Sequence, residues 1–224
     1  MPSLPEVLVL LSFLSETSAV IGLVVTSSLI VLLRDWRLSL LALLVQYLLA
    51  AVLLIHFIHA EVALFKFIVG AMICPVLFLS ARRAEGDMAG KRRTGWKGGV
   101  RVWVPRDVFG VGLPFRFLAV ILVGLLVYGF LQRCALADVP SYLNFAVYWL
   151  GLMGLLTMML TGRPLKVGLG LLTFMTAFEL YYVTIERGLL VTGMLGVLHL
   201  IVALALAYLI ALQSPARDER IIKG

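Results

Sequence analysis

Seven apolar runs follow one another along the chain, at residues 11–33, 38–58, 62–80, 117–133, 143–161, 167–185 and 190–212. A helix that crosses the hydrocarbon core of a bilayer needs about 20 such residues. Inside lipid each backbone N–H and C=O must find its partner within the chain, which an α-helix does on its own. The expected fold is therefore all-α, a polytopic membrane bundle of seven transmembrane helices. Composition agrees: 62% of the 224 residues are apolar and 14% charged, against roughly 45–50% and 25% in an average soluble domain. That excludes a soluble enzyme, a nucleic-acid-binding domain and a disordered tail. The start, Met1-Pro2-Ser3-Leu4-Pro5-Glu6, has no basic segment before the first run, so that run reads as a retained helix rather than a signal peptide.

The charges test the helix count. With the N-terminus outside, the inner segments hold Arg34 and Arg37, then nine bases from Arg82 to Arg116, then Arg163 and Lys166, then Arg217, Arg220 and Lys223. Sixteen of nineteen bases are thus inside, against Arg133 and Arg187 outside and Lys66 within a span. This is the positive-inside pattern for seven helices, N-out and C-in. The net charge of +7 therefore reports topology before it reports any ligand.

The chain divides into a three-helix unit (1–80), a basic cytoplasmic loop (81–116), a connecting helix (117–133), a second three-helix unit (134–212) and a cytoplasmic tail (213–224). Each three-helix unit has a short basic turn between its first two helices, Arg34-Asp35-Trp36-Arg37 and Arg163-Pro164-Leu165-Lys166, and a tight outer turn near Glu61 or Glu186-Arg187. The connecting helix lets both keep one orientation, which makes a parallel repeat. In the loop, Gly86 and Gly90 are one residue too close for a phosphate-binding Walker pattern, and Arg92 stands where Ser or Thr would bind magnesium. Lys91, Arg92, Arg93, Lys97 and Arg101 are suited to lipid headgroups or to docking a soluble partner, and Trp96 and Trp103 to interfacial anchoring.

Ionisable groups within spans need a reason, since each costs about 2.5–3.5 kcal/mol near a helix centre on insertion scales. Glu179 lies close to the middle of the sixth run, too deep for so short a side chain to reach water. It must be protonated, paired or turned to a hydrated cavity. Burial favours the neutral form of a carboxyl, which suits a group that takes up and releases protons; the plainer reading is a neutral glutamate bonded to a neighbouring helix. Lys66 either snorkels outward or pairs with a carboxylate, that of Glu179 or one on another subunit. Gln46 fits an interhelical hydrogen bond better than conduction, and Glu16 sits near the outer headgroups. His56 and His59, with Glu61, make a weak metal signal that interfacial histidines explain. His199 follows Gly193 and Gly196 at helical spacing, which suggests close packing around it and a second relay position. Pro75 kinks the third helix, and Gly151, Gly154, Gly168 and Gly170 read as tight helix contacts. Cys74 and Cys134 form no metal or redox spacing. No nucleophile stands beside a base and no paired histidines face across the bundle, so no catalytic centre, metal or cofactor is expected in this chain.

Arg37-Leu38-Ser39, an apolar helix carrying Gln46-Tyr47, and a third helix ending Pro75-Val76-Leu77 with a basic exit resemble the E subunit of hydrogenase-4, a membrane subunit of formate-hydrogenlyase-type complexes. The second unit is similar in plan to the three-helix K-type subunit of respiratory complex I and the C subunit of Mrp antiporters. The matching features are the basic turn Arg163 to Lys166, the buried Glu179 within Phe178-Glu179-Leu180, the outer turn Glu186-Arg187-Gly188, and a last helix from Leu190. The resemblance covers about residues 19–81 and 143–212. It implies a subunit of an ion-translocating membrane complex in a prokaryotic cell membrane, among other membrane subunits, with Glu179 in a proton path, Lys66 as its charge partner, and Gln46 and His199 as further relay positions. Two features depart from the family. The last helix lacks an opening acidic residue, reading Gly193-Met194-Leu195-Gly196-Val197-Leu198-His199, and the 82–116 loop is longer than the family's. The alternative from a different class is a non-conducting scaffold whose basic loop docks a partner.

Overall fold

The computed structural model describes residues 16–33, 35–55, 60–93, 112–133, 139–185 and 188–212, with backbone alone at residues 16, 60–64, 84–93 and 189. These residues form seven helices: α1 (Glu16–Leu32), α2 (Trp36–Ile55), α3 (Ala60–Arg93), α4 (Leu113–Arg133), α5 (Ser141–Leu160), α6 (Pro164–Ile185) and α7 (Leu189–Leu212). No strand occurs among the described residues. Six of the helices contain a segment long and apolar enough to cross a membrane, while the apolar part of α1, Thr17–Leu32, is shorter. The molecule is a multi-pass helical membrane bundle, as the apolar runs require.

Two boundaries differ from the sequence reading. Residues 81–93, assigned to a loop by their charge, continue α3 as helix, and α4 begins at Leu113 and takes Arg116 into its first turn. Charge ends a span; it does not end a helix. Alanine, methionine, arginine and lysine from Ala81 to Arg93 are good helix formers, and Gly86 and Gly90 cost only about 1 kcal/mol each. The remainder of the loop, including Trp96, Lys97, Arg101 and Trp103, lies outside the described residues. Pro164 opens α6, where its fixed φ suits the helix and its missing N–H would have had no partner anyway.

The repeat is visible in the packing. α1 packs on α5, α2 on α6 and α3 on α7, so each helix of the first unit meets its counterpart in the second. That is the arrangement of two parallel three-helix layers stacked in register. α4 stands at the edge, mainly against α5 and α1, and presents most of its surface outward. Hydroxyls inside the bundle satisfy themselves locally: Thr26, Ser27 and Ser28 each donate to a carbonyl one turn back in α1. Ser27 Oγ also accepts from Trp149 Nε1 of α5 at 2.9 Å, which fixes the α1–α5 contact.

Two of the inner bases are not on the surface. Lys166 and Arg116 are 4% and 5% exposed. Lys166 Nζ donates to the carbonyl of Leu33, and Arg116 donates to that of Val31 at 3.3 Å. Both carbonyls belong to the C-terminal end of α1, where a helix leaves acceptors unpaired and carries its negative dipole end. Replacing Lys166 with methionine should lower the stability of the detergent-solubilised protein by about 1–3 kcal/mol, read as a lower melting temperature. An unchanged melting temperature would show that the α1 end has other partners.

Candidate functional site

Four central helices each send one side chain to a common point. Lys66 from α3 donates to the carboxylate of Glu179 from α6. His199 Nδ1 from α7 lies 3.7 Å from the same carboxylate oxygen, Glu179 Oε2. Tyr47 from α2 places its ring under the ammonium, with Lys66 Nζ 4.8 Å from the ring centroid. None of the four is more than 2% exposed. Glu179 and Lys66 each stand six residues from the outer end of their helix, about 9 Å at 1.5 Å per residue. The cluster thus sits toward the outer side, as charge orients the bundle, and Glu179 lies further from mid-helix than the sequence suggested, because α6 begins three residues earlier than the apolar run.

Local sequence explains why the groups meet. Gly70, one turn beyond Lys66, lets α3 close on α2: a Cβ there would meet Tyr47 Cβ at 2.7 Å. Gly196, just before His199, admits Phe65; a Cβ there would meet the Phe65 ring at 2.4 Å. The expected close packing around His199 therefore comes from Gly196, whereas Gly193 has nothing within 4 Å. On the inner side of the cluster, Val69, Ile73, Leu169, Leu172 and Ala203 pack with Tyr47 in an apolar core shared by α2, α3, α6 and α7. In such a medium a lone charge is prohibitive, and a lysine and a glutamate persist together because each compensates the other.

The histidine tautomer follows from its partner. His199 Nδ1 lies 2.9 Å from the Leu195 carbonyl, which only accepts, so Nδ1 carries the proton. His199 Nε2 is then the lone-pair nitrogen, buried and without a hydrogen bond. The Tyr47 hydroxyl lies beside Thr176 but makes no well-formed hydrogen bond; the Thr176 hydroxyl is committed to the Leu172 carbonyl at 2.9 Å.

Of the sequence-derived relay positions, the structure brings Lys66, Glu179 and His199 together. The choice left open for Lys66 falls on pairing with Glu179 of the same chain. Gln46 is 1% exposed, and neither of its amide atoms has a hydrogen-bond partner. No hydrogen bond joins it to the cluster, and the expected interhelical bond is not formed. Sequence reasoning missed Tyr47 as a site residue; it stood in the Gln46-Tyr47 pair, but a tyrosine in an apolar helix carries no signal of what its ring faces. His56, His59, Lys97 and Arg101 lie outside the described residues, as do the side chains of Glu16, Glu61, Lys91, Arg92 and Arg93.

Fold and site together define a class: a multi-pass helical membrane protein that holds a lysine–glutamate–histidine cluster inside its bundle. No protein-family model, curated protein or solved structure matches the chain.

Proposed function

We propose that this chain is an integral membrane subunit of a multi-subunit, ion-translocating complex of the redox or antiporter type, and that the Glu179 cluster passes protons within it. One observation carries the reading. An amine, a carboxylate and an imidazole from three helices share one buried contact set, and the imidazole keeps a free acceptor nitrogen. An ion pair serving only as interhelical glue needs two groups; the third can take a proton at Nε2 and give up the one on Nδ1, the nitrogen 3.7 Å from Glu179 Oε2. Ionisable residues within spans mark ion and proton pathways by default, because their insertion cost must be offset by use. The resemblance to the hydrogenase-4 E subunit and to K-type subunits supports the same role, with the electron chemistry in other subunits. The basic segment from Lys91 to Arg101 would then face the cytoplasm of a prokaryotic cell and meet headgroups or a soluble subunit.

The test is proton movement in membrane vesicles that contain the native complex. Glu179→Gln should slow it at least about a hundredfold, the lower end of what a positioned proton donor or acceptor contributes. Co-purification of the variant with its partner subunits checks assembly. Since the Gln variant leaves Lys66 without its counter-ion, the double variant K66M/E179Q controls for folding. Unchanged proton movement in an assembled E179Q complex would sink the proposal and leave the pair as structural glue.

A further inference from the structure

Tyr47 touches two members of the cluster with its ring and none with its hydroxyl. The Lys66 ammonium stands over the ring face at 4.8 Å, where the π-system is electron-rich. The His199 imidazole meets the ring edge-on, with centroids 6.0 Å apart and planes at 74°. The ring is held there by the backbone of α3. A Cβ at residue 70 would meet Tyr47 Cβ at 2.7 Å and Cγ at 2.8 Å, so the two helices approach this closely only because residue 70 is glycine. Tyr47 itself is 1% exposed. A side chain seated this tightly, with its polar atom unused, is placed for its ring.

We propose that Tyr47 is a positioning residue for Lys66, whose ring face retains the ammonium when Glu179 takes up a proton. The inference rests on the proton-handling reading and deepens it. A proton arriving at Glu179 Oε2 forms one O–H bond and cancels the carboxylate charge; no bond to Lys66 or Tyr47 is made or broken. Lys66 is then a buried cation that has lost its counter-ion. The groups facing it decide what happens next. On α7 the His199 nitrogen beside Glu179 is Nδ1, whose hydrogen goes to Leu195, so that side of the ring has no lone pair to offer a cation. On α3 itself, Cys74 lies two turns further in. α1 and α5 bring apolar side chains such as Leu23, Ala146 and Leu150 to α6, among Ala177, Leu180 and Val183. The neutral Glu179 carboxyl keeps only a carbonyl lone pair for Lys66, and the Tyr47 ring from α2 is the group whose attraction for the ammonium is undiminished. Departure of the proton from Oε2 restores the ion pair, with Lys66 still in place to receive it.

The test uses the full-length chain in lipid nanodiscs and infrared spectroscopy. The signal is the protonated-carboxyl stretch that E179Q removes, followed as a function of pH. Position 47 is varied from tyrosine to phenylalanine and then to phenylalanines of increasing fluorination, which weaken the ring face while keeping its shape and its seat on Gly70. Y47F should titrate as the wild type does, since the hydroxyl is not used. Fluorination should push the appearance of the band stepwise to lower pH, by about one unit for the most fluorinated ring, the size of shift a desolvated cation–π contact can impose. A band that ignores fluorination overturns the role of Tyr47 and leaves the proton-handling reading standing. Absence of any carboxyl band that E179Q removes overturns both.

Discussion

Replacing Lys66 with methionine should destabilise the protein, read as a lower melting temperature. In the wild type the ammonium and the Glu179 carboxylate compensate one another in a site where neither is more than 2% exposed. Removing one partner of a buried pair costs about 3–5 kcal/mol when the other stays charged. The companion variant K66M/E179M replaces both groups with side chains of similar volume and should recover most of the loss, since an apolar pair is often neutral or better where an ion pair was buried. Thermal denaturation of the two single variants, the double variant and the wild type gives the coupling energy directly. A K66M protein as stable as wild type would mean that Glu179 has another partner.

The architecture was legible because lipid leaves a chain few choices. Seven apolar runs with basic residues at alternate ends admit one topology, and the repeat followed from that alternation alone. Part of the site was legible for the same reason: Lys66, Glu179 and His199 stand out as ionisable groups in apolar helices, and each needs a partner that the other two supply. What sequence does not encode locally is which face of a helix meets which neighbour. Tyr47 and Gln46 are adjacent in α2, about 100° apart around its axis at 3.6 residues per turn. Tyr47 faces the cluster, whereas Gln46 has no partner, and no periodicity separates them in a helix that is apolar throughout. Charge misled at the α3 boundary, where basic residues that end the span continue the helix. It was also incomplete at Lys166 and Arg116, which obey the positive-inside rule and are nevertheless turned inward to close the end of α1.

Lengthening Gly154 by a single methyl should be the most damaging small change available in the second unit. A Cβ at Gly154 would lie 2.7 Å from the Phe174 nitrogen and 2.8 Å from the Gly170 carbonyl oxygen, and one at Gly170 would lie 2.8 Å from the Gly154 carbonyl. The obstacles are backbone atoms, so no side chain can rotate away and α5 and α6 must separate. α5 and α6 share the most extensive helix contact in the bundle, and without water's drive between helices in lipid, that close approach is what holds them. Overpacking of this kind costs about 1–3 kcal/mol in a core whose side chains can adjust, and backbone contact leaves less room to adjust. Gly154→Ala should therefore lower the melting temperature strongly, and Gly154→Val should prevent accumulation of folded protein. Gly129 in α4 provides the contrast: a Cβ there has nothing within 4 Å, so Gly129→Ala should be neutral or slightly stabilising through helix propensity alone. Because α6 carries Glu179, displacement at Gly154 should also weaken the pairing with Lys66. Gly154→Ala combined with K66M/E179M should then lose less than the sum of the two changes, and strict additivity in the melting data would show that the helix crossing and the charge cluster are independent.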